Sequence, residues 1–202
     1  MTLDSKIYPR TSKYIASLPQ GLDSHSQCRI NNDVYAKLTT RYPTLCQGDI
    51  PPEINEALSG EGWSNEVCGV AVIYMLRDAV FESDEQLIQW GYDNSAELFD
   101  RPAYRMFMRL LSPSLVVLGA SKRWQAFRTG TNLKAQPVKK MPDGRSETQS
   151  VLTAPPGVYG ELVLRQFAAS FKAALDLCRA DDVTSEYLRS EGNEHYFRAT
   201  WR

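Results

Sequence analysis

The stretch from Gly160 to Arg179 constrains this chain more than any other. Val163, Phe167, Phe171, Ala174 and Cys178 recur at steps of three and four residues, so a helix there carries one continuous apolar stripe. Such a stripe has to be buried on another layer, and the segments on either side have strand character. Before it, Thr131 to Lys140 alternates through Leu133 and Ala135 to Pro137, Met141-Pro-Asp-Gly144 is a turn, and Arg145 to Thr153 is polar and then β-branched. Residues 131–153 therefore read as a hairpin, and its polarity and Pro137 put it at a sheet edge. After it, Asp182 to Ser190 and Tyr196 to Trp201 read as two strands joined by Glu191-Gly192-Asn193-Glu194.

The first half has helical spacing instead. Ile30, Val34 and Leu38 predict a helix over 30–41 that stops at Pro43, and Pro51-Pro52 opens a short helix with Ile54 and Leu58 on one side. Ser64 is the expected N-cap of a helix running to about Phe81, apolar nearly all round and hence central. Ser83-Asp-Glu-Gln86 reads as a capping box for the next helix, with Leu87, Trp90 and Leu98 apolar and Gly91 expected to bend it. Arg101-Pro102 opens another, with Tyr104, Phe107, Met108 and Leu111, and Ser112-Pro113 caps a helix reaching Phe127. The expected fold is α+β, a helical N-terminal half followed by β-β-α-β-β, with an antiparallel sheet packed by helices. A single domain over 1–202 is expected, mainly helical over 1–129 and sheet-containing over 130–202.

Composition excludes several classes. A 43% hydrophobic fraction is too high for a disordered chain. No run approaches the roughly 20 apolar residues a membrane span needs, the longest being Val67 to Leu76. Met1 to Arg10 carries Asp4, Lys6 and Arg10 and no apolar core, so no signal peptide is expected and the localisation predicted is cytoplasmic. Cys28, Cys46, Cys68 and Cys178 form no C-x-x-C, in keeping with a reducing compartment. Cys68 and Cys178 read as packing residues, and His25 is the one additional ligand near Cys28 and Cys46, too few for zinc.

Charge is strongly segregated. Residues 1–48 carry six basic and three acidic side chains, 49–100 one and twelve, 101–145 ten and one, and 146–202 six and eight. Acidic and basic segments that face each other in the fold, or separately solvated faces, would account for this. The alternative is a basic surface that recruits an anionic ligand, nucleic acid or membrane; the first reading is the one expected, so nucleic acid is not an expected partner. The histidines His25 and His195 sit in no nucleophile or metal motif, and His195, beside a polar turn, reads as exposed. Asp181-Asp182 reads as surface carboxylate where a helix passes into a strand.

The segment Ser112-Pro113 through Trp124-Gln-Ala-Phe127 to Arg128-Thr-Gly130-Thr131 ends a helix at a left-handed glycine position. With Gly160-Glu-Leu162 and the closing Tyr196-Phe-Arg-Ala-Thr-Trp201, it resembles the C-terminal half of the superfamily uniting 4-vinyl reductase domains, haem–nitric-oxide-binding domains and TRAPP-type tethering subunits. The likeness is nearest to uncharacterised myxobacterial proteins of that type, which share an opening like Gly21-Leu-Asp-Ser24. The resemblance implies an antiparallel sheet packed by helices, a dimer, and a pocket for a small hydrophobic ligand. It does not imply haem: no histidine lies between residues 26 and 194, and the Tyr-x-Ser-x-Arg motif of the haem branch is missing.

The function expected is therefore a non-catalytic small-ligand-binding or sensory module without a cofactor, its apolar pocket lined from 101–127 and 160–178. One alternative is a protein-interaction or scaffold subunit of TRAPP-like type, associating with itself or another protein. A second is an enzyme acting on an anionic small molecule. For an anionic ligand the expected contacts are Arg123 and Arg128, with Trp124 and Tyr104 beside them. Five residues set those arginines about 140° apart on a helix, so they converge only if its last turn unwinds. Cations at a helix C-terminus also satisfy its carbonyls without any ligand. Trp124 and Phe127 are expected to be buried against Phe167 and Phe171.

Overall fold

The computed structural model describes residues 3–100, 110–178 and 180–202. Its fold is α+β, and its contacts cluster into two compact units. The first unit comprises Met1–Leu87, Phe127–Gly130 and Pro155–Gly160; the second comprises Ile88–Ala126, Thr131–Ala154 and Glu161–Arg202.

In the first unit, helix α1 (Pro9–Ala16) is capped from a distance. The Asp78 carboxylate accepts the backbone N–H groups of Arg10 and Thr11 at 3.1 and 3.0 Å, the orphan donors of a helix start. Strand β1 (Arg29–Asn31) and helices α2 (Leu38–Arg41) and α3 (Pro52–Leu58) follow, then β2 (Trp63–Asn65) and helix α4 (Glu66–Ala79). Helix α5 (Asp84–Phe99) begins in this unit and continues in the second. Strand β3 (Arg128–Thr129) completes a three-stranded antiparallel sheet in the order β2-β1-β3.

The expected helix over 30–41 is not formed. Asn31 Oδ1 accepts from Asp33 N at 2.9 Å, and fully buried Asn32 donates from Nδ2 to Glu56 O, Glu61 O and Ser64 Oγ. Side-chain bonds of this kind outcompete the helical ladder, leaving a strand, a 3₁₀ turn (Asn32–Tyr35) and the single-turn α2. The cap of α4 is Asn65 and not Ser64: its Oδ1 accepts from Val67 N at 3.0 Å, while Ser64 lies within β2. α4 is central as expected, buried over most of its length.

The second unit holds α6 (Pro113–Leu118), α7 (Ala120–Phe127), β4 (Asn132–Ala135), β5 (Lys139–Lys140), β6 (Ser146–Thr153), α8 (Glu161–Asp176), β7 (Thr184–Glu191) and β8 (Glu194–Trp201). Its sheet is antiparallel in the order β4-β6-β8-β7, with β5 also paired to β6. The first hairpin is thus only partly an edge, since β6 lies between β4 and β8. Pro137 falls between β4 and β5, where no ladder needs its missing N–H. Helix α8 lies on β7 and β8 through its apolar stripe, with the Phe171 ring edge-on to Phe197 at 5.2 Å.

Two glycines depart from expectation. Gly91 does not interrupt α5; a Cβ there would lie 2.4 Å from Gln166 Cγ, so the missing side chain admits buried Gln166 of α8. The expected continuous helix to Phe127 instead breaks at Gly119 into α6 and α7. His195 is also not exposed: it faces inward from β8 at 7% exposure.

Gly130 does take the left-handed conformation, φ +74°, but as the exit from β3 and not directly after a helix. A Cβ at this residue would stand 2.4 Å from Gln27 O and 2.8 Å from Cys28 Cα. Gly130→Ala therefore meets both an unfavourable φ and a backbone clash. It is expected to destabilise by more than about 2 kcal/mol in chemical denaturation.

Candidate functional site

The residues singled out in the sequence fall into different settings. Tyr104 lies outside the described residues. Arg123 and Trp124 are neighbours on α7 in the second unit, while Arg128 belongs to the first unit. The Arg123 guanidinium donates to Val116 O, a carbonyl released where the helix breaks at Gly119, and burial lowers its pKa. Trp124 is 6% exposed, stands edge-on to Phe167 at 5.4 Å, and donates from Nε1 to Thr131 Oγ1 at 2.9 Å. Trp124 is buried against Phe167 as expected, whereas Phe127 is only half-buried and Phe171 packs on Phe197.

Arg128 starts β3 and donates from Nε to Glu66 Oε1 at 3.2 Å. Glu66 is 1% exposed and opens α4, whose N-terminal dipole favours a carboxylate. Burial works against the Arg128 charge, yet the carboxylate and the phenols of Tyr159 and Tyr35 hold its pKa above the usual value. Burial first, and then Glu66, pushes the Tyr35 phenol up as well. This pair joins the acidic 49–100 segment to the basic 101–145 segment, the internal pairing that charge segregation suggested.

Of the pocket walls expected from the sequence, 160–178 lines a groove in the second unit as α8; the contributions of α5 and β7 were not foreseen. It measures about 730 Å³ and runs between α5, α8 and β7. Ile88, Ala168, Ala169 and Leu188 provide its apolar surface, and Tyr92 and Tyr187 its rings. Arg165, Lys172 and Arg189 line it together with Glu161 and Glu186. Lys172 Nζ donates to Asp176 Oδ2 at 2.6 Å, and Tyr92 Oη to the same oxygen at 2.7 Å. Burial and that carboxylate push the Tyr92 phenol up to about 12. Arg189 pairs with Glu191 and stacks 4.4 Å from the Tyr196 ring centroid. Only the i, i+7 placement of Arg165 and Lys172 on α8 hinted at this arrangement.

Beside the groove, Ser190 Oγ stands 2.6 Å from His195 Nδ1 and 2.7 Å from Tyr187 Oη. Burial lowers the His195 pKa. Among the described residues no group of three or more His, Cys, Asp or Glu side chains is placed to hold a metal ion. Neither His25 nor His195 lies on a helix, so a helix-borne haem ligand is not among the histidines present. No helix of the described residues is long and apolar enough to cross a membrane. Cys28, Cys68 and Cys178 are buried, and burial pushes the Cys68 thiol up to about 12.

No family model and no curated protein matches the chain. Among solved structures, one from work on the mechanism of H-NOX activation is 12% identical with a TM-score of 0.46, covering 85% of this chain and 92% of that one. An oxygen-binding H-NOX domain related to soluble guanylate cyclases is 9% identical with a TM-score of 0.46, covering 99% and 94%. Similarity at this level leaves function to the chain's own residues.

Trp124→Ala is expected to cost about 3–5 kcal/mol in chemical denaturation, because it empties a buried site and orphans Thr131. Arg128→Gln is expected to cost about 3 kcal/mol or more, because it removes the cationic partner of the buried Glu66 side chain. The double variant Glu66→Met with Arg128→Met recovers most of that loss if the deficit is the uncompensated charge.

Proposed function

We propose that the chain is a small-ligand-binding module of sensory type that holds its ligand without transforming it, in the groove between α5, α8 and β7. The groove's make-up carries this reading. Its volume of about 730 Å³ falls within the roughly 300–1,000 Å³ of small-molecule sites, and its small alanine floor leaves room for an apolar body. Arg165 and Lys172 along its walls suit an anionic head, so the ligand class is an amphiphilic carboxylate or phosphate. In this reading Arg123, Trp124 and Arg128 are framework residues, bonded to Val116, Thr131 and Glu66 and none of them among the residues that line the groove. No cofactor is assigned.

Titration with dodecanoate and with dodecyl phosphate, followed by calorimetry, tests the reading. Saturable binding of at least one probe is expected, weakened at least about tenfold when Arg165→Gln and Lys172→Gln are combined, as loss of two charge-assisted contacts implies. Failure of both probes to saturate, or binding indifferent to the two substitutions, overturns it.

A protein-interaction subunit is the second reading, as a homodimer or with another protein. Leu110, Leu115 and Leu118 favour it, being 77%, 50% and 79% exposed where large apolar side chains are ordinarily covered. Light scattering at low and high salt tests self-association, and a strict monomer that still binds a probe removes the homodimer form of the second reading.

A further inference from the structure

We propose that Ser190 is an acyl-accepting hydroxyl activated by His195, so that an activated carboxylic ester leaves its acyl group on Ser190. The proposal stands apart from whatever fills the groove.

Three observations carry it. Ser190 and His195 face each other across the β7–β8 ladder, with Oγ and Nδ1 2.6 Å apart, the reach a nucleophile and its base require. Their exposures are divided as that chemistry wants: Ser190 is exposed to an incoming ester, while His195 is 7% exposed. Burial disfavours the imidazolium, so the ring stays neutral and its nitrogen is able to accept a proton.

The third observation is the bulge at Leu188. Three residues apart on a regular strand, Tyr187 and Ser190 would point to opposite faces. The ladder instead steps from Tyr187↔Phe197 directly to Arg189↔Tyr196, so the extra residue turns Tyr187 and Ser190 to the side of Phe197 and His195. The Tyr187 phenol then reaches the Ser190 hydroxyl at 2.7 Å. With Nδ1 accepting from Ser190, the phenol donates to the serine oxygen and limits the rotamers it samples.

In the reaction, Ser190 Oγ bonds to the acyl carbon as its proton passes to His195 Nδ1. The tetrahedral adduct collapses, the bond from the acyl carbon to the leaving oxygen or sulfur breaks, and that group departs with the proton from His195. The products are an ester on Ser190, the free alcohol or thiol, and neutral His195. Nothing is oxidised or reduced, and the ester itself supplies the acyl group.

The probe is p-nitrophenyl acetate, applied to the full chain carrying Cys46→Ser so that the exposed thiol does not compete. Tandem mass spectrometry is expected to find one acetyl group on Ser190, lost in Ser190→Ala. Its formation should slow at least about tenfold in His195→Gln, the lower side of what a positioned base contributes. Because His195 is buried and its substitution bears on folding, a second variant keeps the question decidable. In Ser190→Cys on the otherwise unaltered chain, iodoacetamide should alkylate position 190 faster than Cys46. Acetylation confined to lysines, or a position-190 thiol no faster than Cys46, overturns the proposal.

Discussion

The first unit is organised around one buried ion pair whose members are 62 residues apart in the chain. Glu66 is the residue at which β2 gives way to α4, and Arg128 is the first residue of β3. Because β1 lies between β2 and β3, with Ile30 opposite both Ser64 and Arg128, the pair ties down both outer strands of that sheet. In net energy a buried pair of this kind is close to neutral against well-packed apolar residues, since desolvation offsets attraction. Its effect is on which arrangement is allowed. A register in which Arg128 missed Glu66 would strand a carboxylate in the interior, and such states are excluded by several kcal/mol. Tyr35 is admitted to the same neighbourhood by Gly69, where a Cβ would stand 2.8 Å from the Tyr35 oxygen.

The second unit relies on a different principle. Its sheet is held by area, with α8 laid across β7 and β8 and a cluster of Val116, Val117, Leu175, Ala199 and Trp201 beneath. Its outer strand β7 carries Glu186, Arg189 and Glu191 and a bulge, features that discourage pairing with another chain's edge. That same bulge brings Tyr187 and Ser190 to one face, so one backbone irregularity blunts an edge and builds a polar cluster.

What the sequence revealed and what it hid divide along the range of the interactions. The α8 stripe, the two hairpins and the Ser112 cap are written within a few residues each, and periodicity or turn chemistry exposes them. The 30–41 region misled because its apolar spacing is helical, while the decisive bonds from Asn32 go to Glu56, Glu61 and Ser64. Helix α1 carried no cap of its own, since Asp78 supplies it from α4. Gly91 looked like a breaker because glycine's ordinary cost in a helix is local, whereas its reason here is a side chain 75 positions later. Arg128 was visible as a cation at a helix end, but nothing local announces a buried carboxylate at Glu66. The groove was only partly visible for the same reason: its walls come from three separate stretches of chain.

The chain passes from one unit to the other five times, at residues 87, 126, 130, 154 and 160. On a ribosome this imposes an order of events. When the first 87 residues have emerged, α4 has its apolar partners, but the cation that neutralises Glu66 has not been made. The residues that finish the first unit, 127–130 and 155–160, arrive in two instalments separated by the whole of the second unit's first hairpin. The N-terminal unit therefore cannot close until residue 160, by which point two of its neighbour's three segments have already emerged, unlike a sequential domain that folds before the next one is made. The two units thus share much of one synthesis window, and a nascent chain stalled before residue 128 lacks both β3 and the partner of Glu66.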